Sequence, residues 1–178
     1  YTAAAPAYSG RVTVPTLWDS EARTIVNNES AEIVRMFDTE FTAFGNGSAT
    51  LRPADLTDEI DAVNEWVYRD INNGVYRCGF ASSQAAYEEA VRALFAGLDR
   101  AEERLGQQRY IAGDRLTEAD VRLFPTLVRF DAVYHGLFKC NLRHLWDYPN
   151  LLGYVRDLYT RPGFGDTCLS LIHISEPT

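Results

Sequence analysis

The chain has 178 residues, of which 46% are hydrophobic, 12% aromatic and 24% charged. That mix is ordinary for a folded protein and excludes a disordered or fibrous chain, and the length suffices for two small domains. Lys and Arg number 17 against 25 Asp and Glu, for a net charge of −8; with no basic run, a nucleic-acid partner lacks its electrostatic footing.

Residues 1–10 are small and broken by Pro6 and Gly10, which reads as loop. Two strands are expected at 12–18 and 24–26, joined by a polar turn at 19–22. Pro15 has no amide to give a sheet ladder, so it belongs at an edge, a bulge or a turn. From Ser30 the pattern becomes helical, with Ile33, Val34, Met36 and Phe37 on one face. The breaker-rich run 44–48, followed by Pro53, reads as a domain boundary, dividing the chain into 1–48 and 52–167.

Beyond that boundary the reading is helical throughout. Ile60, Val63, Val67 and Ile71 form a stripe, and the helix is expected to run from about 57 until Asn72-Asn73-Gly74 interrupts it. A second helix spans roughly 83–105, with Tyr87, Val91, Leu94, Leu98 and Leu105 on one side. Thr117-Glu118-Ala119-Asp120 is a capping box with Asp in the Glu place, so a sharply started helix follows, bent at Pro125. A last helix opens at Tyr148-Pro149 and stops at Arg161-Pro162-Gly163.

No stretch approaches the roughly 20 apolar residues of a membrane span, and no leader pattern opens the chain, so no membrane role is expected. Cys78, Cys140 and Cys168 match neither a disulfide framework nor a zinc ligand set. A reducing, cytoplasmic setting without a metal is the expectation. Because the first residue is Tyr1 and not methionine, the chain is expected to be shortened at its front.

Two places have the chemistry of a binding site. Ser30, opening a helix, can cap it and also hold a carboxylate on free amides, while Glu29 suits an ammonium group. A ligand carrying both ends of an amino acid satisfies the pair, and the Val14 backbone can hold an extended peptide by strand-like pairing. The plainer alternative is that Ser30 is only a cap, Glu29 a surface charge and Pro15 an edge breaker. Tyr76, just after Asn72-Asn73-Gly74, is placed to turn a phenol toward a cleft and share a proton with a phenolic oxygen. Cys78 and Cys140 read as buried hydrophobes rather than nucleophiles.

Five segments, taken in order, carry a resemblance. They are Gly10-Arg11-Val12-Thr13-Val14-Pro15 with Leu17-Trp18-Asp19, Ile25-Val26-Asn27-Asn28-Glu29-Ser30, Ile71-Asn72-Asn73-Gly74-Val75-Tyr76, Leu116-Thr117-Glu118-Ala119-Asp120-Val121-Arg122-Leu123-Phe124 and Phe138-Lys139-Cys140-Asn141. Over residues 8–167 the chain resembles the glutathionyl-hydroquinone reductases, the xi class of glutathione transferases. The resemblance implies an α/β plus all-α fold: part of a thioredoxin-like N-terminal domain, an all-helical glutathione-transferase C-terminal domain, and a glutathione site between them.

By motif match it makes Val14 the residue before a cis-proline, Pro15, where it pairs with the glutathione backbone. Glu29 and Ser30 take the γ-glutamyl end, and Arg11, Val12 and Thr13 belong to the same glutathione-binding segment. Tyr76 matches the tyrosine that assists the aromatic substrate. Glutathione is implied as co-substrate, aromatic hydroquinone conjugates of glutathione as partners, and a homodimer as the full-length assembly. Two departures stand out. The family's Cys-Pro-Trp-Ala nucleophile motif does not occur in these 178 residues, and the tail 168–178 reads as non-native, resembling a translated sequencing adaptor. A non-catalytic glutathione-transferase-like interaction module is the rival reading. A conjugating transferase using serine or tyrosine is a third, against which the Asn-Asn-Gly-Val-Tyr segment argues.

Overall fold

The structure, a computed structural model, describes residues 1–45 and 50–168. The expected tail beyond Cys168, and residues 46–48 of the expected boundary loop, lie outside the described residues. The chain divides into two compact units, Tyr1–Arg52 and Pro53–Thr178.

In the first unit, β1 (Leu17–Asp19) pairs antiparallel with β2 (Thr24–Asn27), with Trp18 opposite Ile25 and Asp19 opposite Thr24. The Asp19 carboxylate accepts the amides of Glu21 and Ala22, both at 2.8 Å, which closes the turn as an Asx motif. The ladder is shorter at its front than the residue pattern suggests. It begins at Leu17, not at residue 12, because Pro15 offers no N–H and an irregularity follows between Leu17 and Trp18. The second strand runs one residue further, to Asn27. Helix α1 (Ser30–Thr39) buries Ile33. Here too a correction is needed: Glu29 occupies the N-cap position without a side-chain cap, and Ser30 is the first helical residue. Asp38 accepts the amides of Leu51 at 3.0 Å and Arg52 at 3.2 Å, together with the Thr50 hydroxyl, fastening the following chain to α1.

The second unit is helical. Its elements are α2 (Thr57–Trp66), α3 (Asn73–Gly79), α4 (Gln84–Leu105), α5 (Glu118–Val128), the single turn α6 (His135–Leu137) and α7 (Pro149–Tyr159). Helix α4 packs against α3 and α7. Ile60, Ile71, Leu94, Leu98, Leu123, Leu127, Phe130, Leu151 and Leu158, each fully buried, form the core. Ser83 caps α4 by accepting the Ala86 amide at 3.2 Å. The free amides at the start of α7 are met from α4, where Glu102 accepts those of Asn150 at 2.9 Å and Leu151 at 2.8 Å.

The expected stop at Asn72-Asn73-Gly74 does not occur. The chain passes from α2 through a π-helical turn, Val67–Asn72, straight into α3. Gly74 serves close packing instead: a Cβ there would sit 3.3 Å from the Leu94 side chain, so a larger residue would push α3 from α4. A second π-helical turn, Phe130–Tyr134, follows α5, whose helix contains Pro125.

The capping box of α5 forms as the sequence implies. Asp120, fully buried, accepts the Thr117 amide at 2.8 Å and the Thr117 hydroxyl at 3.0 Å. It also accepts the Ile111 amide at 2.9 Å and the Tyr154 hydroxyl at 2.7 Å. Burial pushes this carboxyl above the usual range, against the pull of those donors. Asp120→Ala strands all of them, and is expected to lower unfolding free energy by about 3 kcal/mol or more, measured by chemical denaturation.

Candidate functional site

In the first unit one phenol, that of Tyr1, joins the predicted Thr13 to Asn28. The Tyr1 hydroxyl donates to the Thr13 carbonyl at 3.0 Å and lies 3.0 Å from the Thr13 hydroxyl. It accepts from the Asn28 side-chain amide at 3.1 Å, and Asn28 also reaches the Thr13 hydroxyl at 3.5 Å. These contacts hold the segment containing Val14 and Pro15 beside the entry to α1. The Thr13 hydroxyl, with smaller help from Thr16 and Asn28, lowers the tendency of Tyr1 to keep its proton against a raising effect of desolvation.

The Val14-Pro15 peptide bond is cis. Val14 is 91% exposed, and among the described residues no hydrogen bond engages it. Its amide and carbonyl are therefore open to an extended ligand. Arg11 is exposed, and its carbonyl accepts the Tyr8 hydroxyl at 2.6 Å. Asn27 orders the next turn by accepting the Glu29 amide at 2.7 Å while donating to Glu32 at 2.6 Å. Glu29 and Ser30 are both exposed at the start of α1, where the helix leaves amides free. Tyr1 and Asn28 are the residues that the sequence pattern missed. The Asn28 position was visible within its motif, but nothing in the order of residues pairs it with Tyr1.

In the second unit Tyr76 lies on α3, in a continuous helix rather than at a break. It is 45% exposed and belongs to an aromatic cluster with Phe80, Tyr134 and Phe138. Its ring stands edge-on to Tyr134 at 5.8 Å and to Phe138 at 5.5 Å, and stacks with Phe80 at 6.3 Å. Its hydroxyl lies 3.3 Å from that of Tyr134. Gly79 makes room for the cluster, since a Cβ on it would meet the Phe138 ring at 2.5 Å. Tyr134 is 6% exposed and was overlooked in the sequence because it falls at core spacing after Phe130.

Cys78 and Cys140 are free and buried. Hydrogen bonding from Cys140 draws the Cys78 thiol down, while the same contact and desolvation push Cys140 up. A surface cavity of about 380 Å³ lies beside them, lined by Cys78, Ser83, Tyr87, Lys139 and Asn141 among others. The Tyr87 hydroxyl donates to the Lys139 carbonyl at 2.6 Å. Among the described residues no group of three or more His, Cys, Asp or Glu side chains could hold a metal, and no helix is long and apolar enough to cross a membrane.

This architecture recurs among known proteins. Residues 1–40 match the glutathione S-transferase N-terminal domain and residues 84–157 the glutathione S-transferase C-terminal domain. The glutathionyl-hydroquinone reductase YqjG of Escherichia coli K12 is 54% identical over 167 residues, 94% of this chain and 51% of its own length. The glutathione-bound structure of YqjG aligns with a TM-score of 0.93 at 53% identity, over 98% of this chain and 56% of that one. The glutathionyl-hydroquinone reductase PcpF of Sphingobium chlorophenolicum is 58% identical over 151 residues, 85% of this chain and 48% of its own length. The glutathione S-transferase Xi of Phanerochaete chrysosporium has a TM-score of 0.93 at 54% identity, over 98% of this chain and 60% of that one. The chain spans about half the length of the curated relatives it matches. Its hairpin and α1 are thus part of a thioredoxin-like N-terminal domain, and its helices are those of the all-helical C-terminal domain. The chain belongs to the glutathione transferases, and the relatives it resembles there are xi-class transferases and glutathionyl-hydroquinone reductases.

Proposed function

We propose that the protein containing this chain reduces glutathionyl-hydroquinones to hydroquinones at the expense of glutathione, and that the chain supplies the peptide-holding and substrate-orienting parts. The observation that carries this reading is the Tyr1-Thr13-Asn28 network, which brings the open Val14 backbone beside the α1 entry. In this reading residues 1–48 form the later part of a glutathione-binding domain and 52–167 a helical substrate domain. Val14, next to Pro15, pairs with the glutathione backbone. Glu29 takes the ammonium of the γ-glutamyl end and Ser30 its carboxylate, while Arg11, Val12 and Thr13 line the same segment.

The chemistry is a thiol transfer in two steps. A cysteine thiolate attacks the glutathionyl sulfur, the carbon–sulfur bond breaks, and the ring carbon takes a proton to leave as hydroquinone. The resulting mixed disulfide is attacked by the thiolate of a second glutathione, which frees the enzyme sulfur and releases glutathione disulfide. Tyr76 meets the aromatic oxygen and steadies it through the first step. Neither buried thiol suits the attacking role: Cys140 is pushed up and fully enclosed, and Cys78, though drawn down by Cys140, is almost fully enclosed. The whole protein is taken to act in the cytoplasm as a homodimer without a membrane partner, and the acidic net charge leaves a nucleic-acid partner without electrostatic footing. A purely structural interaction module has no need of an exposed segment whose backbone amide and carbonyl are left open to a peptide.

Glu29→Gln and Ser30→Ala are each expected to weaken glutathione binding about tenfold, read by calorimetric titration of the chain. Unchanged binding in both variants would remove the clamp from the proposal. Mass-spectrometric alkylation should label Cys168 first and Cys140 only after unfolding. Turnover of a model glutathionyl-hydroquinone by the 178-residue chain, lost on Cys78→Ser or Cys140→Ser, overturns the assignment of roles.

A further inference from the structure

We propose that Cys78 and Cys140 form a redox site of their own, a dithiol that a small peroxide entering the adjoining cavity converts to a disulfide. The site stands apart from the residues read for glutathione and uses two thiols for which the thiol transfer has no role.

The fold brings the two sulfurs to one point. Cys140 follows Lys139, whose left-handed backbone, φ 58°, turns the chain after α6. The Cys140 amide donates to the Tyr134 carbonyl at 3.1 Å. Its sulfur lies 3.8 Å from the Phe138 carbonyl and 3.9 Å from that of Val75, which sits on α3 one turn before Cys78. Helical side chains lean back toward the helix N-terminus, so the Cys78 sulfur stands over that same turn. There the two thiols hydrogen-bond to each other. Tyr87 of α4 faces both of them while its hydroxyl donates to the Lys139 carbonyl at 2.6 Å.

Access is one-sided. The cavity of about 380 Å³ is lined by Cys78 and by Lys139 and Asn141, the two neighbours of Cys140, whereas Cys140 itself is fully buried. Cys78 is only 3% exposed, which admits an oxidant the size of a water or two and excludes a tripeptide disulfide. The hydrogen bond from Cys140, with lesser help from Arg77, holds the Cys78 thiol down against desolvation, while Cys140 is held up and keeps its proton. Cys78 is therefore the attacking sulfur and Cys140 the resolving one.

The Cys78 thiolate attacks one oxygen of hydrogen peroxide. The O–O bond breaks, and hydroxide leaves as water with the proton that Cys78 released, so Cys78 becomes a sulfenic acid. The Cys140 sulfur then attacks the Cys78 sulfur, the S–O bond breaks, and hydroxide takes the Cys140 proton to leave as a second water. Two thiols are oxidised to one disulfide, and one peroxide is reduced to two waters.

The test exposes the folded 178-residue chain to hydrogen peroxide, alkylates the remaining thiols in urea, and reads the digest by mass spectrometry with and without dithiothreitol. The Cys78–Cys140 cross-link should exceed either pairing with Cys168 by about tenfold or more. The same treatment of the chain in urea should move the pairing to Cys140–Cys168, which are closer along the sequence. Glutathione disulfide at the same concentration should leave both buried thiols reduced. With dimedone present, Cys140→Ala should carry the sulfenic adduct on Cys78. Oxidation confined to Cys168, or the same pairing in urea as in the folded chain, overturns the proposal. A mixed disulfide on Cys78 overturns the choice of a small oxidant. An adduct missing from Cys78 in a Cys140→Ala chain whose circular dichroism matches the unaltered one overturns the order of attack.

Discussion

The carboxylate of Asp120 gathers the Ile111 amide, the Thr117 amide and hydroxyl and the Tyr154 hydroxyl, so one buried side chain ties the loop before α5, its first turn and α7. Removing a charge of this kind from water is expensive, and only a full set of donors makes the position tenable. Once α5 starts at Glu118, the positions of Arg122 and Thr126 are set, one turn apart. Those two hold Asn72 from both ends of its amide, through the Arg122 carbonyl and the Thr126 hydroxyl. The π-helical turn before α3 is thereby pinned, and with it the helix that carries Tyr76. A contact more than forty residues along the chain from Tyr76 thus bears on where that phenol stands.

Tyr76 follows, and Tyr134 closes, a turn in which the backbone bonds i to i−5: Asn73 donates to Tyr68, and Tyr134 to Arg129. Such turns insert a residue without ending a helix, which lets core spacing persist while changing what stands beside it. Gly79 then allows the Phe138 ring to lie directly on α3. Each ring pair in the cluster is worth roughly 0.5–1.5 kcal/mol beyond its burial, enough to orient a ring but not to fold a domain. The helical core carries stability, and the cluster inherits its geometry from that core.

Much of this was written plainly in the residue order. The capping box at Thr117 and Asp120, the stripe on α4 and the Tyr148-Pro149 start of α7 are local patterns whose partners lie three or four residues away, and each forms as read. What escaped has partners far along the chain. Gly74 looks like a helix stop because nothing nearby announces the Leu94 side chain packed on it. The π turns escaped because spacing of three or four residues between apolar positions tolerates one extra. Tyr134 looked like one more core aromatic, and it is one; its hydroxyl partner is 58 residues away. Likewise Arg11 to Pro15 and Glu29-Ser30 stood out by motif, while the Tyr1 hydroxyl that draws Thr13 to Asn28 did not.

The two proposed sites solve different recognition problems. A tripeptide thiol common to every turnover is best held by backbone, since an exposed amide and carbonyl at Val14 read an extended peptide whatever its side chains. Charge is needed only where the γ-glutamyl end must be told from an ordinary terminus, and there Glu29 and Ser30 are short, exposed and at a helix start. An aromatic acceptor that varies in its substituents asks for the reverse: apolar walls that tolerate shape and one oriented hydroxyl that reads the feature common to all of them, a phenolic oxygen.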